Sequence, residues 1–488
     1  MDKLLKLHIL NHVLTTRGRI QRNNKALKAM EDNDGAEQND QLPEEKFRDQ
    51  GFTRPTVLVL LPTRGTCYDF VNEMLAMAGS DGSDEEMKRF EEEYGPIDDS
   101  DDIEQDDEKE RRRKAVMDQK GRDWKHLFGD SVNKDDDFKI GISFTPNAAK
   151  KKDSLGKRKA SNVAVKMYSD FYKSDIILAS PLALKILTTP EEEGDESDID
   201  FLSSIEICFL GHSDVLLMQN WDHVNDILKL LNQEPQKNNS TDFSRVRNYL
   251  LEGQSERWRQ IIMSSPILDP ALLSTFKRNA KSHSGFIKTK SQIVPGEASI
   301  SNIYLPVKQV FQRIQTASFE QQSDSRVSYF VKTVLPHILQ QKQKRTLIYI
   351  PSYFDFCSIR NILIKREIEF VSVTEYSRTS EVSRGRARFL QGRKPLLLYT
   401  GRCHFFHRHA IKGIRHLVFV GLPEHPDFYS DHVNAIQKSS GEDGEVADKP
   451  SCLALFTKYD SHALERIVGT KNAKQILKSQ KSTFMFYS

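Results

Sequence analysis

Cysteine is scarce in this chain. Five occur in 488 residues, at 67, 208, 357, 403 and 452, and no two stand at CxxC spacing. Cys208, Cys357 and Cys452 lie in or beside apolar runs, so no disulfide framework is expected, and a reducing compartment is. Long apolar runs are missing too. No stretch approaches the roughly 18 residues of a membrane-spanning helix, so no membrane association is expected. Residues 1–24 mix leucines with Lys and Arg and lack the continuous apolar core of a signal peptide, which points to an intracellular protein. An excess of either charge is also absent: 71 basic residues face 69 acidic ones, for a formal net charge of +2. Finally, no GxxxxGK[ST] phosphate loop occurs. The nearest Gly-Lys pair, Gly156-Lys157, sits in a basic polar stretch with no strand before it, whereas a phosphate cradle needs a glycine-rich turn between strand and helix.

What is present is organised. Hydrophobic residues make up 38% and charged residues 29%, which predicts real cores diluted by polar insertions. The length allows about two to four domains. Leu4, Leu7, Leu10 and Val13 recur at helical spacing and predict an amphipathic helix over 3–21. Residues 25–50 read as loop. The run PTVLVLLP at 55–62 predicts a strand buried on both faces, and 175–180, 205–210 and 260–264 repeat the signal. A helix is expected over 216–231. Between them lies a charged insertion, 80–160. Its residues 84–110 hold fifteen carboxylates against three basic side chains, a composition expected to supply no core and to be partly disordered. Within it, 123–128 (DWKHLF) and 138–144 (FKIGISF) are expected to be locally ordered. A second acidic insertion falls at 191–200. The alternation restarts after about residue 300, with strands predicted at 346–350, 370–374, 396–400, 417–420 and 453–457 and helices at 327–341 and 354–365. Two series of alternating strand and helix imply two α/β lobes with parallel sheets and right-handed crossovers, here 1–295 and 296–488, joined near 290–305.

Four stretches carry a resemblance: LVLLPTRGTCYDFVNEML at 58–75, SDIILASPLALKIL at 174–187, DVLLMQNWDHV at 214–224 and IKGIRHLVFVGLPEHPDFY at 411–429. The chain resembles the superfamily 2 RNA helicases and, more closely, the U3 small nucleolar RNA-associated protein 25 family (digestive organ expansion factor), a degenerate DEAD-box-like helicase family. The resemblance spans both lobes. It implies two RecA-like lobes in helicase arrangement. Family members carry sequence before the first shared helix, which here falls almost at residue 1. That leaves either a shortened paralogue or a chain with more sequence ahead of it.

The resemblance places Gly211 and His212 where an active helicase has its metal-binding Asp and catalytic Glu, followed by Ser213 and Asp214. Glycine offers no ligand, and histidine is a poor partner for Mg²⁺, which prefers oxygen. Asp214 reads as a cap for the helix that follows. After the strand near 417–422, PEHPDFYSDHVNAI stands in place of HRxGRxGR and contains no arginine. The implied protein is therefore a pseudo-helicase without cofactor or metal, not an enzyme. More of the RNA-facing motifs survive: Thr63 and Arg64 in PTR, Ser180 at the start of the TPGR position (Leu182 and Ala183 replacing its Gly and Arg), Ser264-Ser265 at the SAT position, and Thr400 and Arg402 at motif V. The competing interpretation of PTR is a strand-to-helix turn with Arg64 solvated.

Residues 401–416 (GRCHFFHRHAIKGIRH) join basic side chains to Phe405 and Phe406, a combination suited to single-stranded RNA. The alternatives are a surface loop packing both Phe rings on the lobe, or a zinc site from Cys403, His404, His407 and His409, for which no second ligand cluster appears. The basic blocks 111–114 and 150–159 suit nuclear localisation or RNA binding, and the acidic run is either a solvating tail or an arm for basic partners. The expectation is a nucleolar scaffold of the small-subunit processome, binding pre-rRNA, U3 snoRNA and assembly factors in 18S rRNA maturation. An active ATP-dependent RNA helicase and a protein-only nucleolar adaptor are the alternatives.

Overall fold

The computed structural model describes residues 2–32, 47–80, 82–97, 120, 124, 127–128, 132–146, 163–189, 198–237, 241–290, 292–436 and 449–487. The basic blocks 111–114 and 150–159, and most of both acidic insertions' carboxylates, lie outside them. The chain divides into two compact units: Met1–Met117 with Gly121–Lys288, and Asp118–Lys120 with Thr289–Ser488. Each is a RecA-like α/β lobe.

The first unit holds β1 (Val57–Leu60), β2 (Lys139–Pro146), β3 (Val163–Lys166), β4 (Ile176–Ala179), β5 (Ile207–Leu210) and β6 (Gln260–Met263), in the order β3-β2-β4-β1-β5-β6. The strands β4, β1, β5 and β6 run parallel, while β2 is antiparallel to both β3 and β4. Every residue of β1, β4 and β5 is buried, which is why these strands are unbroken apolar runs. Alternate side chains feed two cores. Val57, Val59, Ile176 and Leu178 pack with Phe70 and Met74 on one face. Leu58, Leu60, Ile177 and Leu210 pack with Leu184, Val224 and Ile227 on the other.

Three expectations change here. The first helix spans Asp2–Glu31, running into the segment expected to be loop, and its inward stripe is Ile9, Leu10 and Val13, with Leu4 67% and Leu7 51% exposed. Lys6 lies on the buried side because its ammonium pairs with Glu73 at 2.9 Å and sits 5.1 Å from the Phe70 ring, so its stem packs while its charge stays partnered. Second, the acidic insertion does supply core. The helix Asp84–Tyr94 buries Phe90 and Tyr94, one turn apart on the same face. Ser83 caps it and Asp84, Glu85 and Glu86 fill its first turn, where carboxylates complement the helix dipole. Ile140, Ile142 and Phe144 of β2 join the same core. Third, the helix expected over 216–231 is two, Ser213–Met218 and Trp221–Leu230, because the Asn220 side chain accepts from Asp222 N–H and starts a new helix.

The second unit holds β7 (Lys308–Arg313), β8 (Thr346–Ile350), β9 (Phe370–Val373), β10 (Leu396–Thr400), β11 (His416–Phe419), β12 (Ser451–Phe456) and β13 (Thr483–Tyr487). Their order is β13-β7-β12-β11-β8-β10-β9, parallel except for β13 against β7. The strands β7 and β13 were not expected. Both are only partly buried: β7 (KQVFQR) is too polar to show the apolar run of the interior strands, whereas β13 (TFMFY) carries such a run and was missed. The helix Tyr353–Lys365 follows β8, and Thr379–Leu390 leads into β10.

Candidate nucleic-acid interface and degenerate nucleotide site

In open parallel sheets, ligands sit beyond the carboxyl ends of the strands. In the first unit β1, β4 and β5 end level, with Leu60 beside both Ala179 and Leu210. Thr63, Ser180 and Gly211–Asp214 follow these ends directly. The structure assigns several of them internal work. Thr63 is buried and caps the helix Arg64–Ala78 in a capping box with Thr66. The next donors of that helix are also filled from within: Arg64 N–H donates to Asp135 O at 2.8 Å and Gly65 N–H to Asn133 O at 2.9 Å. An end that would suit a phosphate is therefore covered by the chain segment 133–135. The Arg64 guanidinium donates to the carbonyls of Asp137 (2.8 Å) and Glu93 (3.3 Å) and pairs with Asp135 at 3.0 Å. The side chain is thus engaged with the fold and 27% exposed, not the freely solvated arginine of a bare turn. Ser180 is buried and accepts from Ala183 N–H at 3.0 Å; its own N–H donates to Phe138 O. It is a helix cap. Ser264 continues the pattern, its N–H on Leu210 O and its carbonyl accepting from Ser213 N–H.

The segment Gly211–Asp214 is packed rather than open. A Cβ on Gly211 would come 2.6 Å from Leu61 Cδ2 and 3.1 Å from the Phe209 ring. His212 occupies the N-cap position in the left-handed region (φ 48°) without a side-chain capping bond, and Ser213 Oγ donates to Leu210 O. Asp214 lies in the first turn of the helix Ser213–Met218, so it is not the cap, contrary to expectation. An aspartate at 211 would have to displace the Leu61 methyl and crowd the Phe209 ring. Gly211→Asp is expected to destabilise the first unit by about 1–3 kcal/mol through overpacking against Leu61, measured by urea unfolding; a neutral outcome would show that this turn can open.

In the second unit, Thr400 is buried at the end of β10. Its hydroxyl donates to Glu375 at 2.8 Å and accepts from Cys403 N–H, so it too is a cap. Phe405 is 2% exposed, with its ring against His425 and Phe428. Base stacking by Phe405 is therefore overturned, in favour of packing on the lobe. Phe406 is half-buried, 5.1 Å edge-on to Phe405, with the Arg402 guanidinium 6.0 Å from its ring. That cation–π contact is the one interaction Arg402 makes among the described residues; it has no hydrogen bond or ion pair there. Its Nε is buried without a hydrogen-bond partner among the described residues.

The segment expected to hold the arginine pair builds core instead. Within it the helix Pro426–Asn434 turns Phe428, Tyr429, His432 and Val433 inward. The His432 and His404 rings lie 4.3 Å apart, tilted by 47°, and Tyr399 meets His404 Nδ1 at 3.3 Å. Burial holds His404 well below its ordinary pKa and lowers His432 to about 3. Burial, with His407 nearby, brings His409 to about 4. Among the described residues no group of three or more His, Cys, Asp or Glu is placed to hold a metal.

A polar cavity of about 260 Å³ lies at the opposite, amino end of the first sheet, lined by Arg17, Arg54, Asp175, Glu206 and Arg247 among others. Asp175 and Glu206 directly precede β4 and β5. Sequence reasoning passed over them, although a lone carboxylate immediately before a short apolar strand was the available signal.

Residues 1–287 match the family model described as UTP25, NTP hydrolase-like domain, and residues 299–486 match that described as Utp25, C-terminal domain. The chain is 36% identical to "U3 small nucleolar RNA-associated protein 25" of Pyricularia oryzae, aligning over 100% of its own length and 62% of the relative's. It is 33% identical to "Protein NUCLEOLAR FACTOR 1" of Arabidopsis thaliana, over 100% and 61%. With the human "U3 small nucleolar RNA-associated protein 25 homolog" it shares 34% identity over 98% and 58%. The chain thus spans about three fifths of the length of these relatives. Among solved structures, Saccharomyces cerevisiae Dbp5 bound to RNA and ADP BeF3 aligns with 89% of this chain and 78% of its own, at 12% identity and a TM-score of 0.26. A DEAD box protein from Methanococcus jannaschii covers 89% and 80%, at 12% and 0.25.

Proposed function

The chain belongs to the UTP25 family, and from that premise we propose that it is a non-catalytic scaffold of ribosome biogenesis, built on two helicase-type lobes whose nucleotide chemistry is gone. It works in the nucleolus, within the small-subunit processome, where it binds pre-rRNA, U3 snoRNA and neighbouring assembly factors and supports 18S rRNA maturation. The names of its relatives, which speak of U3 small nucleolar RNA and the nucleolus, support that placement. The observation that carries the non-catalytic part is the Gly211–His212 turn. Hydrolysis needs a carboxylate pair to hold Mg²⁺ and orient water. Here the first position is a glycine whose added Cβ would press on the Leu61 methyl and the Phe209 ring, and the second is a histidine in a left-handed turn. The aromatic helix Pro426–Asn434, in place of an arginine pair, supports the same reading.

Purified protein should release no phosphate from ATP when saturated with single-stranded RNA, while retaining that RNA on a filter in the same buffer. The assay includes a full-length relative, because this chain spans only part of such proteins. Turnover that disappears in Asp214→Ala would establish an active helicase. Retention of no RNA by either protein would favour a protein-only adaptor.

A further inference from the structure

The polar cavity at the amino end of the first sheet is lined by three arginines, Arg17, Arg54 and Arg247, and by four carboxylates. Each carboxylate is served from within the first unit. Asp175 takes two N–H groups of Arg54 at 2.9 Å and the N–H of Phe144 at 2.7 Å. Glu206 accepts from Arg247 and, at 3.2 Å, from the Tyr249 hydroxyl, while His12 lies 2.9 Å from its other oxygen. Asp49 is held by Arg245 at 2.7 Å and by Asn23 at 2.8 Å. Asp242 is exposed to solvent and takes the N–H and hydroxyl of Ser244.

The arginines are served less fully. Arg17 makes one contact among the described residues, 3.4 Å from its Nε to Asp175, and no hydrogen bond there. Arg54 spends Nε and Nη2 on Asp175, and Arg247 spends Nη1 on Glu206 and Tyr249. Their other guanidinium N–H groups have no acceptor among the described residues. The charges do not balance either. Glu206 is matched by Arg247 and Asp49 by Arg245, whereas Asp175 alone faces both Arg17 and Arg54. One positive charge and a set of donors are left over at the inner wall. Water can meet the donors but leaves the charge, and a charge shielded from solvent without its match is costly. An oxyanion meets both needs. Guanidinium forks bind carboxylates and phosphates through paired N–H groups. A carboxylate has two oxygens, enough for one fork. Arg17, Arg54 and Arg247 come from three separate segments, and a phosphate offers an oxygen to each.

We propose that this cavity binds a phosphate group, with Arg17 as its counter-charge and Arg54 and Arg247 as further donors. The site lies at the opposite end of the sheet from Thr63, Ser180 and Gly211–Asp214, so it is separate from the degenerate nucleotide site, and it does not depend on the scaffold reading. Free orthophosphate and a phosphate monoester on a small organic group present the same chemistry to these arginines.

The test titrates the protein with orthophosphate, adenosine 5′-monophosphate and adenosine in a chloride buffer of constant ionic strength, followed by calorimetry and by melting temperature. Orthophosphate should bind one per chain and raise the melting temperature as its concentration passes Kd. Arg17→Ala should weaken it by about tenfold or more, the loss of a charge-assisted hydrogen bond. Arg17→Lys keeps the charge and the stem but not the fork. It should weaken binding too, and it guards against a folding defect in the alanine variant. Arg19→Ala removes the same charge from an exposed position of the same helix and should bind as the unsubstituted protein does. Tighter binding of the monophosphate than of orthophosphate would assign the site to esters, and equal binding would assign it to the free ion; both uphold the proposal. Absence of saturable binding, or affinity unchanged in both Arg17 variants, would overturn it and leave the cavity to water. Adenosine binding as tightly as its monophosphate would overturn it as well, since the phosphate would then not be the contact. So would an equal loss in Arg19→Ala, which would trace the effect to the charge of the helix as a whole.

Discussion

Asp175→Ala is expected to destabilise the first unit by about 3–5 kcal/mol, the cost of leaving a buried charge without its partner. The carboxylate is buried and has three neighbours to satisfy. Arg54 donates to both of its oxygens at 2.9 Å, the bidentate geometry that makes such pairs strong. Phe144 N–H of β2 donates to it at 2.7 Å, and Arg17 of the first helix lies 3.4 Å away. Burial lowers the Arg17 pKa, and Asp175 is the largest charge opposing that shift. Removing the carboxylate therefore strands two guanidiniums at the wall of the polar cavity and an amide of β2 in the core. Urea unfolding gives the measurement. A cost below about 1 kcal/mol, the range of a surface pair, would mean that water enters the cavity and does the same work.

The second unit should weaken as pH falls from 7 to 5, more steeply than the first. The unfolded chain protonates its histidines near pH 6.5. In the folded state His432 resists protonation until about pH 3, and His404 is held down in the same direction by burial and by His432 beside it. Above pH 6.5 both states are neutral there and nothing is lost. Below it the unfolded state binds more protons, so stability falls with decreasing pH until the folded pKa is reached. At pH 5 His432 alone accounts for about 2 kcal/mol, and His404 adds to it. The charged groups facing the pair, Arg408 and the neighbouring His409 and His425, add to the resistance; Asp431, 4.0 Å from His404 Nε2, is the acidic group within reach. His432→Phe keeps a ring among Tyr349, Tyr399 and Phe419 and removes the proton site. Melting curves of the variant should therefore flatten between pH 7 and 5. A variant with the same pH dependence as the parent would place the acid sensitivity elsewhere.

Much of the architecture was legible because interior parallel strands have one chemical solution. Runs such as VLVL at 57–60, IILA at 176–179 and LLLYT at 396–400 are buried on both faces and must be apolar throughout. Three elements were not legible. The strands β7 and β13 are only partly buried, and the helix Asp84–Tyr94 hides two aromatics among eight charged side chains. Composition averaged over that segment reported the charges, while the helix period sorted Phe90 and Tyr94 to one face.

The sequence by itself determined that this chain makes two parallel α/β lobes, that it belongs with the UTP25 proteins, and that a carboxylate pair is missing after β5. Those facts follow from local pattern and residue identity. Tertiary structure alone decided what the polar residues after each strand do. A Thr or Ser at the end of a strand and the start of a helix is the right chemistry both for a ligand and for a helix cap, since each use needs one oxygen facing free N–H groups. Thr63, Ser180 and Thr400 proved to be caps, and Arg64 was taken up by carbonyls of 93 and 137. Likewise Phe405 and Phe354 are both aromatic residues of a helix that follows a strand. One is buried against Phe428 and the other faces solvent, because burial is set by elements far apart in sequence that only the folded chain brings together.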